Sequence, residues 1–324
     1  MTFLRSAARF LLCTAIFYLL VKGLFLSGMV TAYIQQIILL AFIVILNSLG
    51  LNVIYGFTGQ FSLGQAAFYG IGAYTSAYLC TVFRIEHWFP FLPVLLVSGL
   101  AAGLVGYLIG LPILRLKDDF LAIATLGFGI LVRVLLDNSD RFIEVLGGPR
   151  GFVGLPRITN LELTLFTIAF LILVTRNLIF SKYGLFWKCI KDDELASTVF
   201  GIDTTKMKLL AFSYGCFLAG VAGALYAQLY TFLHPSNFDF LKSIDLLIIV
   251  IVGGMGSITG TIYAGFIWVG FIEGLRIILP DRVGTALGHH PHISYSIDDV
   301  ETLRAYHPER IPFFGDRKNL GKHI

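Results

Sequence analysis

The chain has 324 residues, of which 56% are hydrophobic and 14% charged, with 29 Phe and a mean hydropathy of +0.81. A soluble domain carries about twice that share of charge, so the composition excludes an ordinary globular protein and points to an all-α polytopic membrane protein. The net charge of +4 is scattered between apolar segments rather than gathered on one face, which argues against a nucleic-acid partner.

A helix needs about 20 mainly apolar residues to cross the hydrocarbon core. Candidates fall at 10–30, 33–55, 66–83, 89–114, 119–136, 161–180, 208–233, 244–253 and 261–279. The expected architecture is therefore about eight or nine transmembrane or re-entrant helices, with 119–136, which contains Arg133, and the short 244–253 as the re-entrant candidates. Arg5 and Arg9 before the first segment imitate a signal peptide, but no small-x-small cleavage site closes it, so it reads as an uncleaved span. Cys13, Cys80, Cys189 and Cys216 form no CxxC pair, so neither a disulfide framework nor a zinc site is suggested.

Basic residues are retained on the cytoplasmic side. With the N-terminus inside and every candidate crossing, the inner connections hold Arg5, Arg9, Arg115, Lys117, Arg176, Lys182, Lys188, Lys191, Lys206 and Lys208. The outer ones hold Arg84, Arg141, Arg150, Arg157 and Lys242, so ten against five supports this orientation. It puts the stretch 184–208 in the cytoplasm and the turn-rich "GGPRG" loop outside.

Two glycine-rich patches lie one in each half of the chain. The first contains Gly56, Gly59, Gln60, Ser62, Gly64 and Gln65, and the second Gly253, Gly254, Gly256, Ser257 and Gly260. Interrupted spans in corresponding positions point to an internally repeated transporter with Gly-broken helices lining a path near the midplane. Small residues that let helices pack closely are a compatible alternative. The uncharged Gln and Ser side chains suit a polar or zwitterionic solute better than an ion.

The stretch 184–208, "GLFWKCIKDDELASTVFGIDTTKMK", has eight charged residues in 25. Asp192 is placed as an N-cap, Asp193 and Glu194 in the first turn, and Gly201 as the residue past the helix end, which predicts a helix of about eight residues. Leu195, Ala196 and Val199 form an apolar face too small to enter a bilayer. Two readings stand here: an ordinary interfacial connection, with Phe186 and Trp187 anchoring the preceding span, or a helix, with Ser197 in its middle, that docks on a cytoplasmic partner.

"KDDELASTVFGID" resembles a shifted EAA-type loop of bacterial ABC-importer permeases, with Ala196 and Ser197 preceding Gly201. "LNVIYGFTGQFSLGQAAFYGIGAYTSAYL", "LRLKDDFLAIATLGFGILVRVLLDN", "GGPRGFVGLP" and "IIVIVGGMGSITGTIYAGFIWVGFIEGLR" follow the same order as in the branched-chain amino-acid ABC transporter permease family, the LivM-like subunits in particular. The resemblance runs over residues 34–279. It implies a subunit of the bacterial inner membrane that pairs with a second homologous permease, two cytoplasmic ATPase subunits and a periplasmic solute-binding protein. ATP and Mg would then be bound by the ATPase partners and no cofactor by this chain, which has no GxxxxGK[ST] run. The resemblance makes Asp192 to Gly201 the coupling segment, and it leaves a urea or short-amide permease as the alternative solute class.

Other classes fit less well. A self-sufficient channel or ion-coupled transporter carries a charged residue in mid-span, whereas Arg133, Glu162, Asp245 and Glu273 sit near segment ends; a membrane enzyme needs a converging set that His87 and His234 do not form. The family's further apolar spans have no counterpart after "RIILP". Residues 281–324, with six basic and six acidic residues and five His, read as a flexible polar tail distinct from the permease domain at 1–280, and His289, His290 and His292 lack an obvious fourth metal ligand.

Overall fold

A computed structural model describes Lys22 and residues 31–278, except 86, 115–117, 142, 144 and 145. The expected first span, Lys22 apart, and the tail with its three clustered His lie outside the described residues. Residues 1–273 form one compact unit; of the second, 274–324, the described part is 274–278, the end of the last helix.

From residue 31 on, ten α-helices follow in order among the described residues: α1 (Ala32–Leu51), α2 (Gln65–Val82), α3 (Trp88–Ile113), α4 (Asp118–Asp137), α5 (Leu161–Ile179), α6 (Lys182–Asp192), α7 (Glu194–Val199), α8 (Thr204–Leu229), α9 (Phe240–Gly253) and α10 (Ile258–Ile278). A π-helical stretch, Asn52–Phe57, prolongs α1. Six of these helices are long and apolar enough to cross a membrane: α1 with its extension, α3, α4 from Phe120, α5, α8 and α10 to Leu275. The chain is an all-α multi-pass membrane protein.

Eight of the nine expected segments are helices here, with ends that differ by a few residues. The largest shift is α8, which runs from 204 to 229 instead of 208 to 233. Asp203 caps it by accepting from Lys206 N at 3.1 Å, while Phe232–Leu233 leave the helix to pair antiparallel, as strand β2, with Phe152–Val153, strand β1. Hydropathy marks where lipid begins; caps mark where a helix begins.

α8 is the buried axis of the bundle, enclosed by α1, α2 and α3. Lipid gives apolar helices no hydrophobic reason to associate, so close packing has to supply the attraction. A Cβ on Gly72 of α2 would sit 2.2 Å from the Gly220 carbonyl oxygen of α8, and one on Gly50 of α1 would sit 2.6 Å from the Gly215 oxygen. The backbones meet there with no room for a side chain. Away from this axis, Leu96, Leu100, Leu104 and Leu108 form an exposed stripe at four-residue spacing along α3, the surface a bilayer covers. α2 is too polar to qualify as a lipid-facing span because its Gln, Tyr and Ser side chains are enclosed by protein.

At the end of the bundle away from α7, the loops before α5 and after α8 close on each other. His234 caps the short 3₁₀ turn Pro235–Phe238 by accepting from Ser236 N, and its Nε2 lies 3.2 Å from the Pro149 oxygen, so this histidine has a structural position in the loop.

Gly72→Val should lower the thermal stability of the detergent-solubilised protein by about 1–3 kcal/mol, because no relaxation short of separating α2 and α8 makes room. A Cβ on Gly127 would meet nothing within 4 Å, so Gly127→Ala should leave stability unchanged or raise it by up to about 1 kcal/mol.

Candidate functional site

The charged stretch 184–208 folds as two helices and the start of a third. Ser181 caps α6, accepting from Tyr183 N at 3.2 Å, and Gly184, Trp187 and Ile190 turn one face of α6 into the bundle. Trp187 is buried and its Nε1 donates to the Met207 carbonyl at 3.0 Å, so it anchors α6 to the start of α8 rather than to a lipid interface.

The expected cap is displaced by one residue. Asp192 ends α6, while Asp193, extended at φ −157°, accepts from Ala196 N at 2.9 Å and caps α7. Because Asp193 is spent on the break between helices, α7 has six residues instead of about eight. Its far end closes as expected: Gly201, at φ +80°, donates to Thr198 O and Ile202 donates to Ser197 O, the two bonds of a Schellman end.

The expected apolar face is oriented outward. Ser197 is the one buried residue of α7, with its hydroxyl donating to Asp193 O at 2.8 Å. Leu195 is 78% exposed and Val199 85%, joined by Phe200 at 85%. Glu194 ties the helix back through a 2.6 Å ion pair to the largely buried Lys208. Beside it Lys206 hydrogen-bonds Asp203 and holds that exposed carboxyl below the usual carboxylate range. A capped, tethered helix presents an apolar tip to its surroundings.

The two glycine-rich patches meet under α6. Asn52, fully buried, donates from Nδ2 to Ser257 O at 3.0 Å and Thr261 Oγ1 at 2.8 Å, and its Oδ1 accepts from Gly256 N at 2.9 Å. A Cβ on Gly56 would fall 2.6 Å from Gly256 N, so only glycine allows this contact. Lys191 of α6 then donates from Nζ to the Gly56 carbonyl at 2.7 Å. Gly56, Phe57, Lys188, Lys191, Asp192, Met255 and Gly256 line a cleft of about 240 Å³.

The other residues expected along a path are turned into protein. Gln60 Nε2 donates to Lys208 O at 3.1 Å and Thr58 Oγ1 at 3.0 Å, and Gln65 Nε2 lies 3.4 Å from the oxygens of Asn47 and Gly215. Ser62 Oγ faces Gly64 N at 3.5 Å, and Gly59 lies against Lys191. Gly254 turns the chain at φ +91°, Gly253 packs on Gly260, and Ser257 Oγ accepts from Gly260 N at the start of α10. Backbone released from a helix is paired here by side chains, as a membrane interior requires.

A profile described as "Branched-chain amino acid transport system / permease component" matches residues 33–280. The chain belongs to this family. Among its relatives, the high-affinity branched-chain amino acid transport system permease protein LivM of Escherichia coli K12 is 34% identical over 78% of this chain and 65% of its own length. LivM of Salmonella typhimurium is 35% identical over 70% and 60%. The probable branched-chain amino acid transport permease protein LivH of Methanocaldococcus jannaschii is 27% identical over 72% and 76%. The chain thus spans less than two thirds of the length of the two LivM relatives. No solved structure matches.

In this permease-family chain, the sequence pattern marked the capped helix within 192–201 but not the contacts made by Asn52, Lys191 and Lys208. Asn52 had a signal, being a polar side chain inside an apolar run. The reach of Lys191 to Gly56, 135 positions away, had none.

Gly201→Val should cost about 1–2 kcal/mol of local stability through backbone strain alone, since nothing lies within 4 Å of a Cβ there. Gly201→Asn should cost clearly less, and amide exchange across 194–202 checks both.

Proposed function

We propose that this chain is a membrane-spanning subunit of an ATP-driven importer of branched-chain amino acids in the bacterial inner membrane, working with a second permease, two cytoplasmic ATPases and a periplasmic binding protein. ATP and Mg act on the partner subunits. The solute class rests on the printed names of the relatives, and the orientation on the distribution of basic residues.

The observation that carries the reading is the exposed tip Leu195, Val199 and Phe200 on a helix held at both ends and by Glu194–Lys208. Such a tip fits an apolar groove on a partner, and a rigid helix returns the partner's displacement to the bundle. Lys191 gives that displacement a route to Gly56 and, through Asn52, to the turn at Gly256. Nucleotide binding inside and solute delivery outside then each favour one arrangement of the spans, and their coupling is the difference in affinity between the two arrangements.

Leu195→Asp combined with Val199→Asp should reduce solute-stimulated ATPase activity and uptake at least about tenfold in reconstituted vesicles, with insertion unchanged, because a charge in an apolar contact removes a binding hot spot. Unchanged activity would sink the docking role. Lys191→Met should have a different signature: ATPase activity is retained while uptake falls, since docking survives and the link to Gly56 does not.

A further inference from the structure

α2 carries two tyrosine hydroxyls that packing does not explain. Tyr69 and Tyr74 are 2% and 4% exposed, and neither hydroxyl has a hydrogen-bond partner among the described residues. Buried hydroxyls are normally paired, because leaving one unpaired forfeits its hydration for nothing. Two such tyrosines on one helix, each packed against other aromatic rings, mark a place made for something polar.

The rings around them belong to different elements. Phe238 lies 5.4 Å from the Tyr69 ring and 6.0 Å from the Tyr74 ring, and Tyr226 of α8 lies 5.4 Å from Tyr69 and 6.1 Å from Phe238. Phe238 is not part of a span: it ends the turn Pro235–Phe238 between α8 and α9, where it rests against Gly70. The next residue, Asp239, caps α9 through Phe240 N and pairs at 2.6 Å with Arg133 of α4, both side chains partly exposed. A short turn, capped by His234 and followed by the Asp239–Arg133 ion pair, thus places an aromatic ring against the rings of both tyrosines.

We propose that Tyr69 and Tyr74 contact the solute in the passage and that Phe238 is the cover closed over them in this conformation. The ligand chemistry that fits is a small zwitterion with an apolar side chain. Its carboxylate and ammonium take the two hydroxyls, while the ring faces take its hydrocarbon and favour its cation. Lifting Phe238, with release of Arg133 from Asp239, uncovers both. This rests on the transport reading above and assigns residues to it.

The test uses the full transporter with its ATPase and binding-protein partners in proteoliposomes, leucine as the probe, and the variants Tyr69→Phe and Tyr74→Phe. Each removes an atom that bonds to nothing in the closed conformation, so a packing role predicts unchanged or higher thermal stability and unchanged uptake. Solute contact predicts unchanged stability, retained ATPase activity and leucine uptake lowered about tenfold in each variant, the loss of one hydrogen bond to a charged group. Wild-type uptake with full activity in both variants overturns the proposal alone, as does uptake that falls only in step with stability. Absence of leucine uptake by the wild-type complex overturns the transport reading and the proposal with it.

Discussion

Backbone taken out of a helix inside a membrane bundle has to be paired by protein, and at the α6 end of this chain one buried amide joins two such segments. Asn52 sits in the π-helical end of α1 and satisfies Gly256 N, Ser257 O and Thr261 Oγ1 in the distant turn between α9 and α10. Two interrupted segments more than 200 positions apart are thereby made one structural element. Gly56 and Gly256 approach to a distance that a side chain on Gly56 would forbid.

That joint gains its consequence from Lys191. The Gly56 carbonyl lies at the irregular end of α1, where a π-helical register leaves it accessible to a side chain from outside the helix, and π-helical turns are frequent at functional positions. Lys191 takes it, and Lys191 belongs to α6, which Trp187 and the Glu194–Lys208 pair bind rigidly to α7 and α8. In the proposed coupling, force applied to Leu195, Val199 or Phe200 reaches both broken segments through the Lys191–Gly56 and Asn52–Gly256 hydrogen bonds. At the same time α8, locked against α1 and α2 by contacts such as Gly72 on Gly220, gives those segments a fixed axis to move against.

Much of this was legible in the chain itself. The span positions followed from hydropathy because lipid and protein interior both demand apolar residues, and the caps of the α7 region were readable because Asp and Gly act through local backbone geometry. Local rules erred where two aspartates compete: Asp193 takes the cap at the helix break and Asp192 closes α6. The glycine patches were legible as interruptions, but not their meeting through Asn52, which depends on tertiary packing. The outward direction of Leu195 and Val199 was equally hidden, since an apolar pair at helical spacing has the same pattern whether it covers a core or faces a partner.

In the proposed coupling, α7 and the two glycine turns move as one body. It is tested most directly by spin labels at Leu195→Cys and Met255→Cys in the assembled transporter, with a third at Leu100→Cys on the lipid face of α3, and distances measured with and without nucleotide. Rigid coupling predicts that the 195–255 distance stays constant while both labels shift relative to position 100. A nucleotide-dependent change between 195 and 255, with position 255 fixed relative to 100, would contradict it.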